Sequence, residues 1–180
     1  MPATAAAMTL PCSSIRNRGL STVKICLIAA LSPDLVIGRD GDMPWHYPAD
    51  MKHFMRTTIG HPCIMGRRTY ESFPKRPLPK RPNLVLTQNA QCDLTGAQRF
   101  ADLTAALDHC RAQDCPVVYI CGGGGVYREA LPLGHEMILT HVPDRVEGDT
   151  YFPAWNETDW EIVDEVSEEG LRFLTYHRRS

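Results

Sequence analysis

The chain reads as short apolar runs separated by segments whose apolar positions recur every three or four residues. "VKICLIAAL" (23–31), "PVVYIC" (116–121) and "EMILTHV" (136–142) are nearly continuous apolar stretches, the pattern of strands buried on both faces. "PCIM" (62–65) and "NLVLT" (83–87) are shorter versions. Between them lie helical patterns. "ADMKHFMRTTI" (49–59) is closed by Gly60, and "GRRTYESF" (66–73) by Pro74. "ADLTAALDHCRAQ" (101–113) has Leu103, Ala106, Leu107 and Cys110 on one face, and "GVYREALPL" (125–133) is a fourth helix. The period changes at the end, where "WEIVDEV" and "RFLTYH" alternate around "SEEGL", as in an antiparallel hairpin. The pattern predicts an α/β fold. It is a single domain with a mainly parallel twisted sheet of about eight strands, helices on both faces and a C-terminal antiparallel hairpin.

Composition narrows the classes. A chain of 180 residues with 43% apolar and 22% charged residues suits one soluble domain. A net charge of −2 gives no case for nucleic acid or an anionic membrane surface. The run "ICLIAAL" is far too short to span a bilayer. The 7 cysteines are odd in number and contain no Cys-x-x-Cys. Cys110 and Cys115, with His109 beside them, lack the second pair of a zinc site, so free thiols in a reducing cytosol and no metal are expected. The first acid is Asp34, preceded by Arg16, Arg18 and Lys24 in an Ala/Ser/Thr-rich stretch. Residues 1–22 are read as a flexible N-terminal extension, with Met8 as an alternative start, and residues 23–180 as the domain.

Three stretches carry chemistry. In "MPWHYPADMKHFM" (43–55), Pro48 can open a helix and puts Asp50 in its first turn, with Phe54 one turn on along the same face. Asp50 then either decorates a helix N-terminus or is the one polar tool of an apolar pocket. Residues 67–81 hold Arg67, Arg68, Lys75, Arg76, Lys80 and Arg81 against Glu71 alone. This block is either a solvated face or a site for an anionic small molecule, which arginine forks suit. The ten acids of residues 144–169, against Arg145, read as a solvated face. Finally, Gly122–Gly125 follow a strand and precede a helix, where backbone can approach a ligand or another chain segment closely. The run is neither a Rossmann fingerprint, since Tyr127 stands at the third glycine position, nor a P-loop; a tight structural turn is the alternative.

Together these stretches resemble the dihydrofolate reductase family. The matching text is "LIAALSPDLVIGRDGDMPWHYPADMKHF", "PCIMGRRTYESF" with "RPLPKRPNLVLT", "ICGGGGVY", and "LTHV" with "VEGDTYFP". The blocks stand in the family's order and span residues 24–153. The resemblance implies hydride transfer from NADPH to C6 of 7,8-dihydrofolate with protonation at N5, giving tetrahydrofolate for one-carbon metabolism. It further implies a cytoplasmic monomer. Asp50 would grip the pterin's two-donor edge, and the apolar walls Ile28, Met51 and Phe54 would raise its pKa. The proton would reach N5 through water, Thr140 would hydrogen-bond Asp50, and Met43 and Trp45 would belong to the catalytic group. Arg81 would bind the α-carboxylate of the substrate's glutamate tail, flanked by Arg76 and Leu78.

On the cofactor side, Ala30 and Ile37, with Gly38, resemble the backbone that fixes the nicotinamide. Arg68 and Thr69 would face the pyrophosphate, and Arg67, Thr87 and Gln88 the adenosine 2′-phosphate. Cys121, Gly122, Gly123, Gly124, Gly125, Val126 and Tyr127 would line the cofactor channel, with a cis peptide between Gly122 and Gly123. "GRDGDMPW" (38–45) resembles a mobile lid. Gly125 stands where many bacterial relatives have arginine, and Cys121 where a branched aliphatic is common. One residue is inserted around Pro74 and Lys75. Two rivals remain. The reductase of riboflavin synthesis shares the fold but needs no pterin-gripping acid, and a folate- or nucleotide-binding module would bind without turnover.

Overall fold

The structure, a computed structural model, describes residues 22–180. The expected extension therefore lies outside the described residues except for Thr22, as do Met8 and Cys12. The elements are β1 (Lys24–Leu31), β2 (Val36–Gly38), α1 (Pro48–Thr58), β3 (Cys63–Gly66), α2 (Arg67–Ser72), β4 (Asn83–Leu86) and β5 (Gln98–Phe100). Then come α3 (Leu103–Ala112), β6 (Val117–Ile120), α4 (Gly124–Ala130), β7 (Glu136–His141), β8 (Thr150–Tyr151), β9 (Trp160–Glu168) and β10 (Leu171–Arg178). Eight strands form one sheet in the order β5-β4-β3-β6-β1-β7-β10-β9. The first six run parallel, and β10 is antiparallel to both β7 and β9.

The continuous apolar runs become the central strands because both faces of the sheet are covered. Leu27, Ile64, Ile120 and Leu139 point to the side of α3 and α4, where they meet Leu107, Tyr127 and Ala130. Their neighbours Cys26, Ile28, Met65 and Ile138 point to the other side with Tyr70 of α2 and Phe54 of α1. Each fully buried side chain of this kind contributes about 1.5–3 kcal/mol. The hairpin closes through Glu169 (φ 53°) and Gly170 (φ 81°), the two left-handed residues that match the twist of a two-residue turn. At the other end of these strands the buried Glu136 carboxylate binds Lys24 Nζ at 2.6 Å and His177 at 2.8 Å, joining β1, β7 and β10.

Three strands were not legible in the pattern. β2 and β8 are three and two residues long and pair only with each other. β5 is a short outer strand with two exposed residues, too brief for a period. The fourth helix is shorter than its apolar pattern. It ends at Ala130, and Leu131–Leu133 form a separate 3-10 turn, because Pro132 has no N–H to continue the α ladder.

Leu27 lies fully buried on the central strand β1. Leu27→Ala is expected to cost about 2–5 kcal/mol, read in urea unfolding as a lower midpoint at unchanged slope.

Candidate active site

The acid sits where the helix reading puts it. Pro48 is the first residue of α1 and Asp50 lies in the first turn. The helix packs on the sheet through Ala49, Asp50 and Thr58. Asp50 is only 8% exposed and accepts a hydrogen bond from the Thr140 hydroxyl of β7. Burial raises its pKa above the ordinary carboxylate value, and the Thr140 hydroxyl holds back part of that rise. No cation among the described residues pairs with it. A first-turn acid that only decorated the helix N-terminus would be solvated, and this one is not.

A cleft of about 1560 Å³ opens at the carboxyl ends of β1, β3, β4 and β6, marked by Ala30, Gly66, Leu86 and Cys121. Ligands of open α/β sheets bind at this end of the strands. Met43, Trp45 and Met51 line it, as do Arg67, Arg68, Thr69 and Thr87. Ile37, Gly38 and the run from Gly122 to Tyr127 complete the walls. Ile28, Asp50, Leu78, Arg81 and Thr140 are buried and are not among the residues that line the cleft, and Phe54 stacks on Phe73, a cleft-lining ring, at 6.0 Å. Gln88 is exposed outside it. Arg76 is turned away, donating to the Glu71 and Phe73 carbonyls at 2.8 and 3.4 Å and lining a separate small cavity with Tyr70, Asp93 and Thr95.

The glycine run is held by close packing. The Gly122–Gly123 peptide is cis. Gly122 has φ 117°, and a Cβ there would meet the Tyr127 ring at 3.3 Å and Thr69 Oγ1 at 3.4 Å. A Cβ at Gly124 would meet the Tyr151 carbonyl at 3.1 Å. At Gly125 only the Arg128 guanidinium comes near, at 3.7 Å, so this backbone is open. Tyr127 anchors the run to β1 by donating to the Ile28 carbonyl at 2.6 Å. Full burial pushes the Cys121 thiol far above its usual range, which suits packing and not nucleophilic attack.

Two functional contacts escaped the sequence reading. Arg81, 8% exposed, donates to Thr58 Oγ1 at 2.6 Å and to the Pro79 carbonyl at 2.8 Å. No carboxylate among the described residues neutralises it. The second contact latches the loop over the cleft. Arg39 and Asp42 exchange backbone hydrogen bonds at 2.8 and 3.0 Å, and Asp40 N–H donates to Asp149 Oδ2 at 2.9 Å. The "DG" pair at 40–41 was the only local signal for this tight turn. Arg67 reaches both Glu71 oxygens at 3.0 Å.

A buried acid next in sequence to the cleft-lining Met51, with Arg67 and Arg68 in the cleft wall, makes an arrangement suited to a polar ligand beside an anionic one. Comparison with known proteins gives the particular family. Residues 24–178 match the family model described as "Dihydrofolate reductase". Among curated relatives, "Dihydrofolate reductase HdrB" of Haloferax volcanii is 38% identical over 93% of this chain and 90% of its own length. "Dihydrofolate reductase type 3" of Salmonella typhimurium is 44% identical over 86% and 98%. A solved structure, "Dihydrofolate reductase from Enterococcus faecalis complexed with NADP(H) and RAB-propyl", superposes with a TM-score of 0.76 at 32% identity, over 87% of this chain and 97% of that one. The chain belongs to the dihydrofolate reductase family.

The buried acid predicts a trade between stability and function. Its raised pKa means that the folded state binds the proton more tightly than the unfolded chain, so stability falls as pH rises from the ordinary value of 3.8 through the folded value. Asp50→Asn should therefore be more stable than the parent at pH 7, by about 0.5–2 kcal/mol. Thermal melts should converge as the pH drops below 4.

Proposed function

We propose that the chain carries out its family's reaction, NADPH-dependent reduction of 7,8-dihydrofolate to 5,6,7,8-tetrahydrofolate, with Asp50 as the residue that grips the pterin and sets the electrostatics under which water protonates it. The buried Asp50 carboxylate, bonded to Thr140 and facing no cation, is the observation that carries this reading. Such a group is costly unless a ligand satisfies it. The pterin presents a ring N–H and an amino group side by side, which one carboxylate accepts bidentately. Apolar contact from Ile28, Met51 and Phe54 keeps that pair out of water and strengthens it. Asp50 grips the edge away from N5, so water relays the proton to that atom while the carboxylate sets its supply. Trp45 and Met43 close over the reacting face from the loop, which excludes bulk water.

Arg81 is the substrate's second anchor. A buried guanidinium without an acidic partner among the described residues supports binding of a carboxylate, that of the glutamate tail. Leu78 flanks the tail; Arg76 would have to leave its carbonyl partners to join it.

The cleft's residues fit the cofactor. The open backbone of Gly125 admits a group that a side chain would exclude. Arg68 and Thr69 would hold the pyrophosphate, Arg67, Thr87 and Gln88 the 2′-phosphate, and Ala30, Ile37 and Gly38 the nicotinamide. Cys121 through Tyr127 would form the channel wall. NADPH, when bound, supplies the hydride delivered to C6. Residues 23–180 form the reductase domain in this reading, behind an N-terminal extension. In this reading the chain acts as a monomer. Six free cysteines among the described residues support a reducing cytoplasm, and the net charge of −2 supports a partner list without nucleic acid or membrane. No helix of the described residues is long and apolar enough to cross a membrane.

Asp50→Asn is expected to lower turnover at pH 7 by ~10²–10⁴ and to recover in part in acid, where the substrate is already protonated. A stopped-flow pH series of NADPH oxidation with dihydrofolate measures this, and full activity at pH 7 contradicts the assignment. Arg67→Ala should weaken NADPH binding roughly tenfold, the effect of one lost charge-assisted contact of about 1.5 kcal/mol, and leave NADH nearly unchanged. Titration with each cofactor checks it, and equal losses contradict the 2′-phosphate role.

A further inference from the structure

One pair of side chains lies outside the cleft and has no part in the reading above. Cys110 and Cys115 stand at the C-terminal end of α3, separated by Arg111, Ala112, Gln113 and Asp114. The helix closes there with two reverse hydrogen bonds. Asp114, left-handed at φ 52°, donates its N–H to the Arg111 carbonyl at 3.1 Å, and Cys115 donates its N–H to the Cys110 carbonyl at 3.0 Å. This paired closure folds the chain back and brings the side chain after the turn against the last turn of the helix. Here both side chains that meet are thiols, and they share a side-chain hydrogen bond. Cys110 is fully buried, and Cys115 is half-buried and packed against the same apolar cluster. That cluster fills the face of the sheet covered by α3 and α4, whereas Phe54 of α1 packs on the other face.

We propose that Cys110 and Cys115 are a redox modification site, at which a reversible disulfide forms by exchange with a small external disulfide of the glutathione class. The proposal is independent of the reading of the cleft. A disulfide needs its two Cα atoms about 4.4–6.8 Å apart and its Cβ atoms turned toward each other. A turn that bonds one residue's N–H to the other's carbonyl, with the thiols in contact, holds the pair together without opening the sheet. Cys115 is the thiol that a reagent can reach. Its thiolate attacks one sulfur of the external disulfide, giving a mixed disulfide and releasing one thiol. Cys110 then loses its proton and attacks the Cys115 sulfur, and the second external thiol leaves. Two protein thiols are oxidised, one external disulfide is reduced to two thiols, and the two protons go to those thiols. Burial first, and then the neighbouring Cys115, push the Cys110 thiol up to about 12, so it stays protonated and reacts second. Cys63 and Cys121 also share a hydrogen bond, but Cys63 pairs with Tyr119, two residues out of register with Cys121, and both thiols are buried.

The test treats the full chain with oxidised glutathione and maps its peptides without reductant. Trypsin cuts after Arg111, between the two cysteines, so the peptides 100–111 and 112–128 stay joined only through a disulfide. They should appear joined, lighter by two hydrogens and free of glutathione, and dithiothreitol should separate them. Peptide 112–128 also carries Cys121. Fragmentation of the joined peptides should place the bond on Cys115, and Cys115→Ser should abolish the link. The urea midpoint of the linked protein should rise, because the bridge restricts the unfolded chain. Peptides that stay separate, a glutathione adduct left standing on Cys115, or a link that runs to Cys121 or survives Cys115→Ser each overturn the proposal. A lower urea midpoint overturns it as well, as the mark of a bridge that the turn does not accommodate.

Discussion

Everything in this site depends on one desolvated carboxylate. Water would solvate Asp50 far better than the sheet does, and the protein supplies only a hydroxyl, Thr140, in exchange. The fold tolerates this because the acid is not free to leave. Pro48 sets the start of α1, and Ala49 and Thr58 bury the helix on either side of it. Thr140 belongs to a strand paired on both edges. The helix cannot lift the carboxylate toward solvent without unpacking itself. On the proposed function, a ligand with two adjacent donors removes the penalty, and recognition of the substrate and relief of the desolvation cost are the same event.

The second anchor obeys the same logic with opposite sign. Arg81 is buried, and Thr58 and the Pro79 carbonyl satisfy its hydrogen bonds without neutralising its charge. Thr58 in turn donates to the Phe54 carbonyl at 2.8 Å. The chain Arg81–Thr58–Phe54 ties the cation to the helix that carries the acid. The separation between the two charges is therefore tied to α1, and on the proposed function the substrate's two ends meet groups held by one helix.

The sheet was legible because continuous apolar runs of five to nine residues have few alternatives. Asp50 was legible because Pro48 and the apolar residues around it fix both the helix start and the face. What could not be read were contacts made across the fold. Asp149 meets Asp40 across 109 residues, and nothing local marks either as a latch. The solvent protection of Arg81 comes from Thr58, on another element. The orientation of Arg76 comes from its hydrogen bonds to the Glu71 and Phe73 carbonyls, which no periodicity describes. The burial of His53 Nε2, beside Phe173 of β10, is likewise a contact across the fold that the helix alone does not show.

The two sides of the cleft differ in kind, and this decides which can move. The glycine wall is part of the core: a Cβ at Gly122 or Gly124 would run into Tyr127, Thr69 or the Tyr151 carbonyl, and Tyr127 is bonded to the central strand. Shifting that wall means disturbing β1. The facing turn at Arg39–Asp42 is exposed and held by two backbone bonds and the Asp149 carboxylate. Segments with few buried contacts open at the least free-energy cost. The Asp40 N–H and the Thr150 hydroxyl hold Asp149 below the ordinary carboxylate range, whereas burial raises Asp50, so on acidification the latch keeps its charge longer than the acid beneath it. On the proposed function, access to the reacting face is therefore expected from the loop side.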